Sequence, residues 1–321
     1  MDTWQIVFLD AGTVGDDVDL SGLQELGTVT SYEYTSPQET IDRIGDAQIV
    51  VTNKVKLGEE VFTACPELKL VALTATGVNN IDLEAARTHS VAVTNVAGYS
   101  TNSVAQHTFA LLLSLLGRID YHDRYVKSGE YSSSGTFTHL DHPFWELTGR
   151  TWGIVGLGAI GRAVGTLAEA FGCRIQFFST SGASSHDRWS AVDLETLLTT
   201  SDVISVHAPL NELTEGLIGE QELALMPPHA IILNLARGGI VDEAALANAL
   251  DTGQIGGAGF DVFVTEPPPA DSPLMNLAHP ERAVFTPHVA WASVEARTRL
   301  IDELCLNIRA FSAGERRNRV D

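Results

Sequence analysis

The sequence predicts an α/β fold in two domains, and three observations carry that prediction. Short apolar, β-branched runs alternate with helix-like stretches almost from the first residues. At 321 residues the chain is too long for one small core. A glycine-rich turn at 156–161 follows an apolar run and opens a helix-like stretch, the strand–turn–helix context of a phosphate-binding loop.

Taken in order, residues 6–9 read as a strand and 28–32 as a second, followed by 48–52, 69–73 and 91–94. Helix-like stretches at 19–26, 37–44, 58–65 and 82–87 fall between them, making a small α/β unit of the first hundred residues. A long helix is expected from 102 to about 128, because Val104, Thr108, Leu111, Leu112, Leu115 and Ile119 recur at helical spacing. The Ser-, Gly- and Thr-rich stretch 129–138 reads as a loop. Strand-like runs resume at 151–155, 175–178, 203–207, 230–234, 257–260 and 283–286, and 293–310 reads as a helix.

Charge and cysteine content narrow the functional classes. Asp and Glu number 41 against 20 Lys and Arg, a net charge of −21, which disfavours nucleic acid and anionic membranes as partners. Only four cations are lysines, Lys54, Lys56, Lys69 and Lys127, so anionic ligands must be met by locally concentrated charge. Cys65, Cys173 and Cys305 are too far apart for a metal knuckle and form no complete disulfide set, so no metal is expected. The opening MDTWQIVFLD reads as strand rather than signal peptide, and the most apolar stretch, 109–116, is far short of a span, so a cytoplasmic location is expected.

Four sites carry chemistry. Gly156, Gly158 and Gly161 form the GxGxxG pattern, whose amides approach a dinucleotide pyrophosphate. The acidic residue expected about 20 positions later, to hold a ribose 2′-hydroxyl, is missing. Ser179, Thr180 and Ser181 stand there instead, with no Arg or Lys in the turn and Arg188 the nearest downstream, so NAD and NADP both remain open. Arg237 lies just past a strand end, where a guanidinium can clamp a carboxylate bidentately. Glu266 and His288 supply a carboxylate to orient an imidazole and an imidazole to move a proton. His107, His122, His139, His142 and His207 are read as ordinary core or surface residues. Together the motifs point to hydride transfer at a hydroxy-acid carbon. The expected architecture is a Rossmann-type doubly wound parallel sheet in 101–287. A smaller flavodoxin-like α/β substrate domain is expected from 1–100 and 288–321, with a ligand cleft between the two.

GLGAIG at 156–161, HAPL at 207–210, NLARGGIVDE at 234–243, GFDVFVTEPP at 259–268 and TPHVAWAS at 286–293 give the chain a specific likeness. It resembles the D-isomer-specific 2-hydroxyacid dehydrogenase family over nearly its whole length. Within that family it is most similar to the glycerate dehydrogenases (hydroxypyruvate reductases), through TNK at 52–54, ATGVNNID at 75–82 and NVAGYSTNSVAQHTFALLL at 95–113. The resemblance implies Arg237 as substrate clamp, Glu266 as histidine partner and His288 as acid/base. It implies Gly77 and Val78 as backbone donors to the substrate carboxylate, with Lys54 close by. It places Ala159, Ile160, Ser179, Ala208, Pro209, Thr214, Leu235, Ala236 and Asp261 around an NAD(P)H cofactor, Asp261 facing the nicotinamide amide. It also implies a homodimer formed through 121–149. Hydroxypyruvate or glyoxylate is the expected substrate, with D-lactate dehydrogenase, phosphoglycerate dehydrogenase and a dinucleotide-sensing corepressor-like protein as alternatives.

Overall fold

The computed structural model describes residues 4–321. The chain divides into two compact units, one running up to Ser100 and resuming from Ala292 to Asp321, the other spanning Thr101–Trp291. His288 therefore belongs to the larger unit.

In the smaller unit the strands are β1 (Trp4–Phe8), β2 (Gly27–Ser31), β3 (Ile49–Thr52), β4 (Leu70–Leu73) and β5 (Ala92–Thr94). They form one parallel sheet in the order β2-β1-β3-β4-β5, the flavodoxin-type order. β3, β4 and β5 are buried at every position, as expected of parallel strands covered on both faces. One face packs Val50, Val71 and Leu73 against Phe62 and Ala86, from helices Glu59–Ala64 and Leu83–Thr88. The other packs Ile6, Phe8 and Ile49 against Ile301, Leu304 and Ile308 of the C-terminal helix, Val294–Ser312.

The larger unit contains β6 (Thr151–Val155), β7 (Arg174–Phe178), β8 (Ser190–Ala191), β9 (Val203–Val206), β10 (Ile231–Asn234), β11 (Gly257–Phe260) and β12 (Ala283–Phe285). All pair in parallel, in the order β12-β11-β10-β9-β6-β7-β8. Counted from β6 this is the doubly wound Rossmann order extended by one strand, and it reverses between β6 and β9. Helices Thr101–Gly117 and Ala159–Ala170 cover one face with Leu111, Leu112, Val164 and Ala168. Leu197, Leu223, Leu246 and Leu250, from three further helices, fill the other.

The single long helix expected from 102 to 128 is two helices, Thr101–Gly117 and Ile119–Lys127, broken at Arg118, whose φ is +44°. Gly117 is a poor helix former, and the left-handed residue after it ends the ladder. The apolar period runs on through Ile119, which hides the break, yet Ile119 is exposed and belongs to no core. Within the expected loop 129–138 a short helical turn forms at Glu130–Ser133. Among the described residues, no helix is long and apolar enough to cross a membrane.

Candidate active site

The glycine turn sits where the strand order of the larger sheet reverses, and the three glycines differ in what a Cβ would meet. Gly156 has φ +91°, and a Cβ there would lie 2.7 Å from the Ala208 nitrogen. A Cβ on Gly161 would lie 2.4 Å from the Gly156 carbonyl oxygen, so helix and turn close together only without it. Around Gly158 nothing stands within 4 Å of a built Cβ. Gly158 caps helix Ala159–Ala170, whose first turn carries no acidic side chain. Bare amides at an uncrowded helix N-terminus fit a dinucleotide pyrophosphate.

Around this turn the expected cofactor residues fall at strand ends. Ala159 is exposed and Ile160 half-buried at the start of the helix, while Ala208 and Pro209 follow β9. Thr214 is fully buried and donates its hydroxyl to the Pro209 carbonyl at 2.6 Å, which shapes the 209–214 turn. After β7, the Ser179 hydroxyl accepts from the Ser184 amide at 3.1 Å, and Thr180 is half-buried beside it. Arg162 reaches this same loop, donating from Nη2 to the Ser185 carbonyl at 2.8 Å. That cation comes from the helix after the glycines, so the sequence of the turn itself does not contain it. The available signal was βαβ geometry, which sets the first helical turn near the end of the next strand. Arg188, the nearest cation downstream, is instead paired with Glu169 at 3.0 Å.

The three residues expected to do chemistry lie on neighbouring strand ends. Asn234, buried at the end of β10, accepts from the Ala236 amide at 3.1 Å and donates to the Arg237 carbonyl at 2.9 Å, fixing the Leu235–Ala236–Arg237 turn. The exposed Arg237 side chain gives one donor to the Ala236 carbonyl at 2.8 Å. Gly238 lets this turn pass the next one, since a Cβ there would lie 2.1 Å from the Phe263 carbonyl carbon. On that next turn Glu266 accepts the Phe263 amide on Oε1 at 3.0 Å and meets His288 Nδ1 with Oε2 at 2.6 Å. Nδ1 of His288 is directed at the Glu266 carboxylate, which leaves Nε2 as the other ring nitrogen, and the side chain remains a quarter exposed.

His288 itself sits in a left-handed conformation, φ +54°. Asp261 holds the turn that carries it, accepting from Thr286 Oγ1 at 2.6 Å, Val289 N at 2.9 Å and Ala290 N at 2.8 Å. At 1% exposure and with three protein donors, Asp261 supports the histidine turn. His107, read from the sequence as an ordinary residue, joins this support, with Nε2 3.0 Å from Thr286 Oγ1. His207, at the end of β9, has neither ring nitrogen hydrogen-bonded among the described residues, and burial pushes its pKa down to about 3.

In the smaller unit Lys54 follows β3, and half-buried Gly77 and Val78 follow β4. These two turns are bonded together: Asn80 Nδ2 donates to the Val55 carbonyl and the Leu57 amide to the Asn80 carbonyl, both at 2.9 Å.

Comparison with known proteins gives the family and supports the fold. Residues 109–290 match the family described as D-isomer specific 2-hydroxyacid dehydrogenase, NAD binding domain. The chain is 39% identical over 320 residues to the glycerate dehydrogenase of Methylorubrum extorquens, covering 99% of each chain. It is 38% identical to the hydroxypyruvate reductase of Blautia hydrogenotrophica, covering 97% of each. Among solved structures it resembles the NADPH-dependent glyoxylate/hydroxypyruvate reductase of Sinorhizobium meliloti in complex with NADP and malonate, with TM-score 0.83, 28% identity, and 99% and 97% of the two chains covered. A Rossmann sheet with its glycine turn, a bonded Glu–His pair and an arginine on the adjoining turn thus have the fold, the motifs and the relatives of one group of oxidoreductases, and the chain belongs to the D-isomer-specific 2-hydroxyacid dehydrogenase family.

Proposed function

We propose that this enzyme reduces a short 2-oxo acid, hydroxypyruvate or glyoxylate, to the corresponding 2-hydroxy acid. The observation that carries the reading is the Glu266–His288 contact of 2.6 Å, with Arg237 on the adjoining turn and the glycine loop at another strand end of the same sheet. Arg237 binds the substrate carboxylate and polarises the adjacent carbonyl. His288, as imidazolium, donates from Nε2 to the oxygen as negative charge develops there, and Glu266 stabilises the charged ring. Lys54 and the Gly77 and Val78 amides, at strand ends of the smaller unit, would be further donors for a carboxylate. A nicotinamide dinucleotide, when bound, supplies the hydride.

Gly156, Gly158, Gly161 and the start of helix Ala159–Ala170 would hold the pyrophosphate, with Ala208, Pro209, Leu235 and Ala236 lining the same strand ends. Two observations favour a cofactor bearing a 2′-phosphate. No carboxylate stands at Ser179–Thr180 to repel it, and Arg162 brings a guanidinium to that loop. The relatives named glycerate dehydrogenase and hydroxypyruvate reductase support the substrate class. Three buried free thiols support a reducing, cytoplasmic setting. The apolar surface of 119–144 supports a homodimer.

The test is a turnover panel following loss of the reduced-nicotinamide absorbance. NADPH and NADH are each run against hydroxypyruvate, glyoxylate, pyruvate and phosphohydroxypyruvate. Hydroxypyruvate or glyoxylate with NADPH should give the highest kcat/KM. Preference for pyruvate or the phosphorylated acid would move the substrate assignment, and no turnover with any of the four would remove it.

A further inference from the structure

The smaller sheet also reverses its strand order, between β1 and β3, and open α/β sheets take ligands beyond the strand ends at such a point. Asp10 stands there. It lies two residues past β1, is 3% exposed, and reaches across to the turn after β3. Its Oδ2 accepts from the Lys54 amide at 2.7 Å and from Thr52 Oγ1 at 3.1 Å, while the Asn53 amide is shared between Oδ1 at 2.9 Å and Oδ2 at 3.0 Å. Thr52 Oγ1 in turn accepts the Val55 amide at 3.1 Å. Three consecutive amides are therefore aimed at Asp10 or at the hydroxyl bonded to it.

A buried carboxylate is costly unless its oxygens are filled, and here the donors come almost wholly from one turn. Sheet pairing does not need it, since β1 and β3 are already in register through Ile6↔Ile49, Val7↔Val50 and Phe8↔Val51. What the charge accomplishes is to fix the backbone that carries Lys54. The far side of that turn is bonded to residues 80–82, so Lys54 and the 77–78 amides share one braced rim.

We propose that Asp10 is a positioning residue for substrate binding: it pre-forms the 52–55 turn so that Lys54 is presented to the carboxylate of the 2-oxo acid. Asp10 itself, buried beneath the turn, touches no substrate. The inference rests on the substrate reading above.

The test uses full-length enzyme with hydroxypyruvate and NADPH, comparing wild type with Asp10→Asn, Lys54→Ala and the double variant. Asp10→Asn keeps the shape but sets an NH2 against amide donors, so KM should rise about tenfold with kcat within about twofold. NADPH affinity, measured by fluorescence titration without substrate, should stay within about twofold, because the cofactor residues lie in the other unit. In the Lys54→Ala background, Asp10→Asn should add less than about twofold, since both act through one contact. Thr52→Val, a milder cut in the same network, should raise KM about threefold and serves should Asp10→Asn fail to fold. An unchanged KM in Asp10→Asn, full additivity with Lys54→Ala, or a parallel loss of NADPH affinity would overturn the inference while leaving the substrate reading intact. A wild type inactive on every 2-oxo acid would overturn both.

Discussion

His288 gains its orientation from neighbours and not from its own turn alone. Glu266 fixes Nδ1, and Asp261 holds the following amides, so Nε2 is aimed before any ligand arrives. Replacing His288 or Arg237 by alanine should therefore lower kcat by about two to four orders of magnitude, while the NADPH dissociation constant changes less than about threefold. Rapid-mixing turnover with a parallel binding titration checks both halves; near-normal turnover in either variant would count against its role. A second histidine acts on stability instead. His207 is neutral when folded, with its pKa pushed to about 3, whereas an unfolded histidine titrates near 6.5. Above pH 6.5 both states are neutral and the group adds no pH dependence. Below it the unfolded chain takes up a proton that the folded chain refuses, so stability falls by up to about 1.4 kcal/mol per pH unit. Between pH 7 and 5, wild type should lose about 2 kcal/mol more than His207→Gln in urea unfolding. Equal losses would mean that His207 accepts a proton in the native state.

At the scale of elements, two glycines separate packing from ligand binding. Gly238 carries the Arg237 turn past Phe263, and backbone atoms 2.1 Å from a new Cβ cannot step aside without moving the Glu266 turn. Gly238→Ala should cost about 1–3 kcal/mol of stability and most of the activity. Gly158 has open space around it and φ −81°, so Gly158→Ala should melt like wild type yet bind NADPH about tenfold more weakly, by filling the phosphate side. Thermal melts beside cofactor titrations distinguish the two patterns, and a destabilised Gly158→Ala would refute the steric reading. These elements differ in how far the sequence exposed them. Buried parallel strands are continuous apolar runs, so Ile49–Thr52 and Ile231–Asn234 could be read within a residue of their ends, and Thr151–Val155 and Gly257–Phe260 to the residue. The residues proposed for catalysis were also legible, because they follow strand ends in recognisable motifs, and the structure brings Glu266 and His288 to 2.6 Å. What a linear reading misses is contact across strands. Asp10 bonds to a turn 43 residues away, and Arg162 meets a loop 23 residues on, with no local pattern announcing either. The helix break at Arg118 was hidden for the opposite reason, since periodicity records faces and not continuity.

At the scale of the whole molecule, an acidic chain carries an unusually apolar arm. Phe137 is 91% exposed and Leu140 77%, while Phe144, 66% exposed, and Ile119, 60%, line a groove of about 790 Å³ with Leu113, Leu116, Trp145 and Phe171. The arm is ordered by its own contacts: Tyr121 Oη lies 2.7 Å from His139 Nε2, and the Tyr125 and His139 rings stack at 4.0 Å. Exposed apolar side chains grouped in this way suit burial against a second copy of the same patch, which is the contact the proposed dimer would make. Each chain brings a charge of −21, so association opposes long-range repulsion that salt screens. Dimer affinity should therefore tighten as salt rises from about 0.05 to 0.5 M, the reverse of an interface held by ion pairs. Phe137→Ser combined with Leu140→Ser should weaken dimerisation by about a hundredfold or more, with NADPH affinity unchanged because the glycine turn lies outside the arm. Sedimentation equilibrium across that salt range tests the claim. A monomeric wild type at micromolar concentration, or dimers that loosen as salt is added, would show that the arm serves some other purpose.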